Sequence, residues 1–175
     1  MAHYGLKEKE GAGSRNLLPR PLIGVIGERE ASPENILRAY TVGCLLAEHG
    51  FAVICGGLGG VMEAAARGAK QAGGMTLGIL PGLDKAEANP WIDVAVATGL
   101  REGRNLVLVR TADAVIALPG EYGTLSEIAL ALKIGKPVIG LNTWKVGPEV
   151  VLARDAVEAV DKAAAACGSR SRRSS

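Results

Sequence analysis

Aromatic residues are scarce in this 175-residue chain: one Phe, two Trp and three Tyr, 3% of the total. Histidine is scarcer still. His3 lies near the start and His49 stands alone in the body, so no histidine cluster with zinc-ligand spacing exists. The three cysteines, Cys44, Cys55 and Cys167, are odd in number and show no C-x-x-C spacing. A disulfide framework is therefore not expected, and a reducing cytoplasm fits best. No apolar run approaches the ~20 residues that span a bilayer, and the opening MAHYGLKEKE lacks the apolar core of a signal peptide. Neither G-x-G-x-x-G nor a Walker loop with its Lys-Ser or Lys-Thr is found, and no lysine stands in a cofactor-anchoring context. Chemistry must then come from carboxylates, arginines and backbone.

What is abundant is apolar residues (48%) and glycine (24 residues). That composition excludes a disordered chain, and glycine without a three-residue period excludes a collagen-like one. The length suits one domain with a sizeable core. The formal net charge of +2 is unevenly placed. Arg170, Arg172 and Arg173 put +3 in the last eight residues and the first twenty carry +2, leaving the body at −3. A mildly acidic body argues against a nucleic-acid-binding face. Residues 1–20 read as a flexible leader, 21–167 as one nucleotide-binding domain and 168–175 as a basic, disordered, solvated tail.

Within the body, short apolar runs alternate with amphipathic ones. Strands are expected at Leu22–Ile26, Phe51–Ile54, Met75–Leu80, Ile92–Ala97, Ala114–Leu118 and Pro137–Leu141. Helices are expected from the Ser32-Pro33-Glu34 start to about Glu48, then over Val61–Gln71, Leu100–Arg110, Tyr122–Lys133 and Pro148–Ala166. Strands that are continuous apolar runs are covered on both faces, which implies a parallel sheet with helices on each side. The expected fold is α/β, a single doubly wound domain, with ligands bound beyond the carboxyl ends of the strands.

Three segments fall at that edge. The first, Cys55-Gly-Gly-Leu-Gly-Gly-Val-Met62, runs from a strand into a helix. Glycines there let backbone N–H groups approach an anion, although any tight strand-to-helix turn also uses glycine. The second, Pro119-Gly-Glu-Tyr-Gly-Thr-Leu-Ser-Glu127, repeats the arrangement. Gly123 and Thr124 offer donors at the helix start, and Glu127 follows one turn later, either aimed at the same edge or simply favourable to the helix dipole. The third, Thr98-Gly-Leu-Arg101-Glu-Gly-Arg104-Asn105, brings cations that would meet a phosphate, pair with Glu127 or lie solvated on the surface.

Gly-Gly-x-Gly-Gly-x-Met followed by Pro-Gly-x-x-Gly-Thr-x-x-Glu resembles the LOG-like (SLOG) Rossmann-type nucleotide-binding superfamily. This group includes the "lonely guy" cytokinin riboside 5′-monophosphate phosphoribohydrolases and the molybdenum cofactor carrier proteins. The resemblance covers Ile23 to Leu141 and implies a Rossmann-like fold. It implies that Gly56, Gly57, Gly59, Gly60 and Met62, with Arg101, Pro119, Gly120, Glu121, Gly123 and Thr124, form a phosphate or nucleotide site. In the phosphoribohydrolases an Arg nine positions before an Asp-Ala pair, and the Glu that closes the second motif, act on the N-glycosidic bond. Those positions are Arg104, before Asp113-Ala114, and Glu127. No metal or cofactor is required by such a reaction, and a nucleotide or phosphate is the implied bound molecule.

Two departures from the pattern stand out. Glu121 replaces the second glycine of the Pro-Gly-Gly motif, and Arg104-Asn105 replaces the usual Arg-Lys. Glu121 adds a charge that repels phosphate unless Arg101 or Arg104 offsets it, while Gly103-Arg104-Asn105, with Leu125-Ser126-Glu127 closing the second motif, resembles the cofactor-carrier side more than the hydrolases. The two resulting expectations are a phosphoribohydrolase of nucleoside 5′-monophosphates, or a non-catalytic carrier or sensor of a nucleotide or molybdopterin-type phosphorylated cofactor. The resemblance further implies a homodimer or homotetramer, with Ile128–Leu132 packing against a twin or only against its own sheet. Neither nucleic acid nor a membrane is an expected partner. The polar loop 83–91 is a candidate wall of the base pocket, with Trp91 either stacking on a ring or packed structurally.

Overall fold

The computed structural model describes residues 20–171. Strands β1 (Leu22–Ile26), β2 (Ala52–Cys55), β3 (Thr76–Leu80), β4 (Val94–Ala97), β5 (Ala114–Ala117), β6 (Val138–Leu141) and β7 (Val150–Ala153) form one sheet in the order β4-β3-β2-β1-β5-β6-β7. Every neighbouring pair is parallel. Chain order runs outward from β1 to β4, then jumps back across to β5. The β1/β5 junction is therefore the topological switch point, where loops diverge and a crevice opens.

Helices cover both faces. On one, α1 (Pro33–Glu48), α2 (Val61–Gln71) and α5 (Ala156–Ser171) pack over Ile23, Val25 and Val53. On the other, α3 (Arg104–Thr111) and α4 (Tyr122–Lys133) pack over Ile26, Ile54 and Val115. The central strands β2, β5 and β6 are buried at every residue, as their unbroken apolar runs require. Burying a Val or Ile there contributes about 1.5–3 kcal/mol each. Helix α1 starts as its sequence indicates, with Ser32 Oγ accepting from Asn35 N at 3.3 Å and Pro33 in the first turn. Where α1 crosses α2, a Cβ on Gly43 would strike the Ala65 carbonyl and one on Gly68 the Tyr40 carbonyl, so the helices meet backbone to backbone.

Carboxylates pin the strand starts. Asp113 accepts from Leu22 N at 2.8 Å and its own N–H donates to Leu22 O at 2.7 Å, tying β5 to β1. Asp93 accepts from Thr76 N and from Lys70 Nζ at the β3/β4 end.

Three segments differ from the sequence reading. Instead of one helix over Pro148–Ala166, β7 forms at 150–153 and α5 follows. Val150 to Ala153 gain parallel pairing with Val138 to Leu141, a long-range gain that outweighs the helical bias of the neighbouring alanines. The helix expected over Leu100–Arg110 is a 3-10 turn, Arg101–Gly103, leading into α3. Lys85–Glu87 forms another such turn inside the expected 81–90 loop. Helix α5 continues to Ser171, past the expected domain end at residue 167. Residues 1–19 of the expected leader and 172–175 of the expected tail lie outside the described residues. No helix among the described residues is long and apolar enough to cross a membrane.

Candidate functional site

At the switch point a cavity of about 520 Å³ opens beyond the carboxyl ends of β1, β2 and β5. That volume is in the range of small-molecule sites. Two helices point their starts at it. The N-cap residues are Gly60 for α2 and Glu121 for α4, and neither start is capped by a side chain. At α2 the first N–H, on Val61, is taken by the Glu28 carbonyl at 3.0 Å, whereas the first N–H groups of α4 lack the usual side-chain acceptor and present a positive helix end to the crevice.

Of the residues singled out above, Gly56, Met62, Arg101, Arg104, Glu121, Gly123, Thr124 and Glu127 line this one cavity. Gly57, Gly59, Gly60, Pro119 and Gly120 do not line it but stand behind it. The Gly57 carbonyl accepts from Asn89 N, pointing away toward the 83–91 loop, and the Pro119 carbonyl accepts from Glu28 N. Gly60 has φ +65, and a Cβ there would collide with the carbonyls of Glu28 and Arg29, so only glycine permits this close approach. The loop 83–91 and Trp91 do not line the cavity. The Trp91 carbonyl accepts from Thr76 Oγ1 at 2.6 Å. Trp144 is the tryptophan beside the second motif: its indole N–H donates to Gly120 O at 2.7 Å and its ring stacks on Tyr122.

The charged pair that lines the cavity is buried. Glu127, on α4, is 5% exposed, and its Oε1 lies 3.7 Å from Nη1 of Arg104, at the start of α3. Nη1 is fully buried and has no hydrogen-bond partner among the described residues. An unmet buried donor costs about 1–3 kcal/mol, more when charged. The guanidinium is held there because residue 56 is glycine: a Cβ would run into it and into Met62 Sδ. Asn105, replacing the lysine of the hydrolase pattern, is buried beside it, with Nδ2 donating to Ser126 Oγ at 2.9 Å. Arg101, which also lines the cavity, adopts a left-handed φ of 49, a strained conformation for a residue with a side chain.

Burial pushes the Glu127 carboxyl up to about 7, against the opposing pull of Arg104. Buried Cys55, beneath the same motif, is pushed up to about 11, again chiefly by burial, and is a packed thiol with little thiolate character. The folded protein holds the Glu127 proton more tightly than the unfolded chain, whose carboxyl titrates near 4.5. This group therefore favours folding below about 4.5, and the benefit is lost as pH rises to about 7, a swing of about 3 kcal/mol. Urea midpoints of the wild type are expected to fall between pH 5 and pH 8, and those of Glu127→Gln to move less. Equal movement in both proteins would exclude Glu127 as the source.

The β1–α1 loop, Gly27 to Glu30, also lines the cavity and was not visible from motif spacing. Its only sequence signal is position, since the loop after the first strand borders the switch point in this architecture.

A doubly wound sheet with a crevice built from two glycine-rich helix starts defines a Rossmann-like protein. The SLOG cluster4 family model matches residues 20–167, and the chain belongs to that family. Among solved structures, the molybdenum cofactor binding protein of Rippkaea orientalis superposes with TM-score 0.80 at 37% identity, covering 85% of this chain and 98% of that one. An uncharacterized protein of Archaeoglobus fulgidus is 50% identical over 120 residues, 69% of this chain and 79% of its own. A cytokinin riboside 5′-monophosphate phosphoribohydrolase of Mycobacterium tuberculosis is 32% identical over 116 residues, 61% of this chain and 62% of the enzyme.

Proposed function

We propose that the chain binds a nucleoside 5′-monophosphate in this cavity and hydrolyses its N-glycosidic bond to free base and ribose 5-phosphate. The observation that carries the reading is the buried Glu127–Arg104 pair facing a cavity onto which the uncapped start of α4 opens. The phosphate would be held by the N–H groups of Gly123 and Thr124 and the Thr124 hydroxyl, with Arg101 and Arg104 offsetting its charge. Cleavage builds oxocarbenium character on the ribose. Glu127 stabilises that charge and takes a proton from the attacking water as the water oxygen bonds to C1′; the C1′–N electron pair leaves with the base, which takes up a proton from solvent, and Glu127 then returns its proton to solvent. A carboxyl titrating near 7 is well placed for this, being largely ionised just above neutrality yet basic enough to accept a proton. In this proposal the phosphate serves as a handle whose binding energy positions the sugar, and the chain needs no cofactor.

A second reading is a carrier of a phosphorylated, pterin-type cargo. It is favoured by the nearly full-length likeness to the molybdenum cofactor binding protein, and by Asn105 in place of the hydrolase lysine. Incubation of the protein with a panel of nucleoside 5′-monophosphates, AMP first, separates the two readings. Free base and ribose 5-phosphate on chromatography support the hydrolase. Binding without release supports the carrier.

Glu121 lines the cavity as an exposed carboxylate beside the proposed phosphate position. Restoring the motif with Glu121→Gly removes a like charge and is expected to tighten ribose 5-phosphate binding about 3- to 10-fold. Unchanged calorimetric affinity would mean that the phosphate lies elsewhere. Assembly into a homodimer or homotetramer belongs to the same proposal. Ile128 and Ala131 are buried against their own sheet, whereas Val94 and Val96 on edge strand β4 and neighbouring Leu100 leave apolar surface exposed. Light scattering on the eluting protein gives the mass.

A further inference from the structure

We propose that Glu28 is the sugar-recognising residue of this cavity, taking hydrogen bonds from the vicinal hydroxyls of a ribose; the inference rests on the phosphate-binding reading above. Glu28 belongs to the β1–α1 loop, and its backbone is clamped between the two glycine motifs. Its N–H donates to Pro119 O at 3.0 Å, and its carbonyl accepts from Val61 N at 3.0 Å. A Cβ on Gly120 would come within 3.0 Å of Glu28 N, so this residue sits directly against the motif glycine.

The side chain is fixed as firmly. Asn35 Nδ2 donates to Glu28 Oε1 at 2.9 Å. Asn35 is itself buried, with its backbone N–H on Ser32 Oγ and its Oδ1 accepting from Arg38 Nη1. One carboxylate oxygen is thus spoken for. The other makes no hydrogen bond or ion pair among the described residues, although Glu28 lines the cavity and is only half-buried. An ionised carboxylate only accepts hydrogen bonds, so it suits hydroxyl donors and repels phosphate. The 2′ and 3′ hydroxyls of a nucleotide lie one furanose ring away from its 5′-phosphate. A phosphate on the Gly123–Thr124 helix start therefore leaves Glu28, one contact from Gly120, for the hydroxyl edge. Carboxylate pairing with a ribose diol is the general solution in nucleotide-binding α/β sheets, usually supplied after the second strand. Here the first strand's loop supplies it.

The experiment compares affinities of the full chain for AMP, 2′-deoxy-AMP, 3′-deoxy-AMP and ribose 5-phosphate by calorimetry. The wild type is expected to prefer AMP over each deoxy form by about 10- to 100-fold, the range of a hydrogen bond to a charged group. In Glu28→Gln, whose amide oxygen still accepts from Asn35 and so preserves the loop, that preference should collapse toward unity. Equal wild-type affinity for AMP and its deoxy forms, with ribose 5-phosphate still bound, would overturn the role of Glu28 and leave the phosphate site standing. A preference that survives in Glu28→Gln would overturn it too. Failure of the wild type to bind any of the four compounds would sink both this inference and the reading beneath it.

Discussion

Glu127→Gln is expected to slow release of base from AMP by about 10²- to 10⁴-fold, the usual worth of a positioned acid–base group, while AMP affinity stays within about threefold. The amide keeps the volume and one acceptor of the carboxylate, so packing around α4 is retained, but it can neither take a proton from water nor face an oxocarbenium ion with full negative charge. The variant also removes an ion pair whose members lie 3.7 Å apart and are nearly buried. Arg104 then has a neutral partner, which strengthens rather than weakens its claim on a ligand phosphate. Turnover and affinity are therefore expected to move apart. A variant with wild-type turnover would remove Glu127 from the mechanism, and one that loses affinity and rate together would recast it as a binding residue.

Gly56→Ala is the second change with a large expected effect, and it alters no charge. The backbone at Gly56 is not in the left-handed region, so alanine is tolerated locally. Its Cβ would nevertheless occupy the space taken by the Arg104 guanidinium and Met62 Sδ. Arg104 must then swing away from Glu127. Hydrolysis of AMP is expected to fall by about 10²-fold or more, because misplacing a catalytic group by an ångström costs that much. Ribose 5-phosphate affinity is expected to drop about 10-fold with the loss of one charge-assisted contact. Circular dichroism and steady-state kinetics on the same preparation check this. A folded variant with unaltered rate would mean that the position of Arg104 does not matter.

Much of this architecture is legible in the chain itself. LIGVI, AVIA and VIGL are apolar without alternation, and each has glycine or proline within two residues of one end, so strands β1, β5 and β6 and their burial follow from the sequence pattern. Strand β7 was hidden for a physical reason. VVLA precedes an alanine-rich run that favours helix, and only pairing with β6, which local sequence does not encode, makes it extended. The 3-10 turn at Arg101–Gly103 arises similarly, with Arg101 N bonded to the distant Pro81 carbonyl.

The site divides along the same line. Both glycine motifs are legible from spacing, the pair Arg104 and Glu127 follows only from the family resemblance those motifs carry, and the fold brings Gly56, Met62, Gly123, Thr124 and this pair to one cavity. Glu28 and Asn35 could be named from neither. Their arrangement depends on the Pro119 carbonyl and the Val61 amide, supplied by segments far along the chain, and the loop IGEREASPEN carries no spacing that would announce it. Trp91 is a candidate through its place in the polar loop 83–91, and that loop does not line the cavity. Trp144 stands by the motif because the loop after β6 folds over Gly120.

The most direct test of a nucleotide site that works through Glu127 is the phosphorus NMR spectrum of AMP mixed with the wild-type protein near pH 7.5 and followed over time. The expected result is a shifted or broadened AMP resonance that decays as that of ribose 5-phosphate grows. A shifted resonance that never decays would contradict catalysis and leave a carrier. An AMP resonance unmoved by stoichiometric protein, with no new signal, would contradict the central claim that this cavity takes a nucleoside 5′-monophosphate.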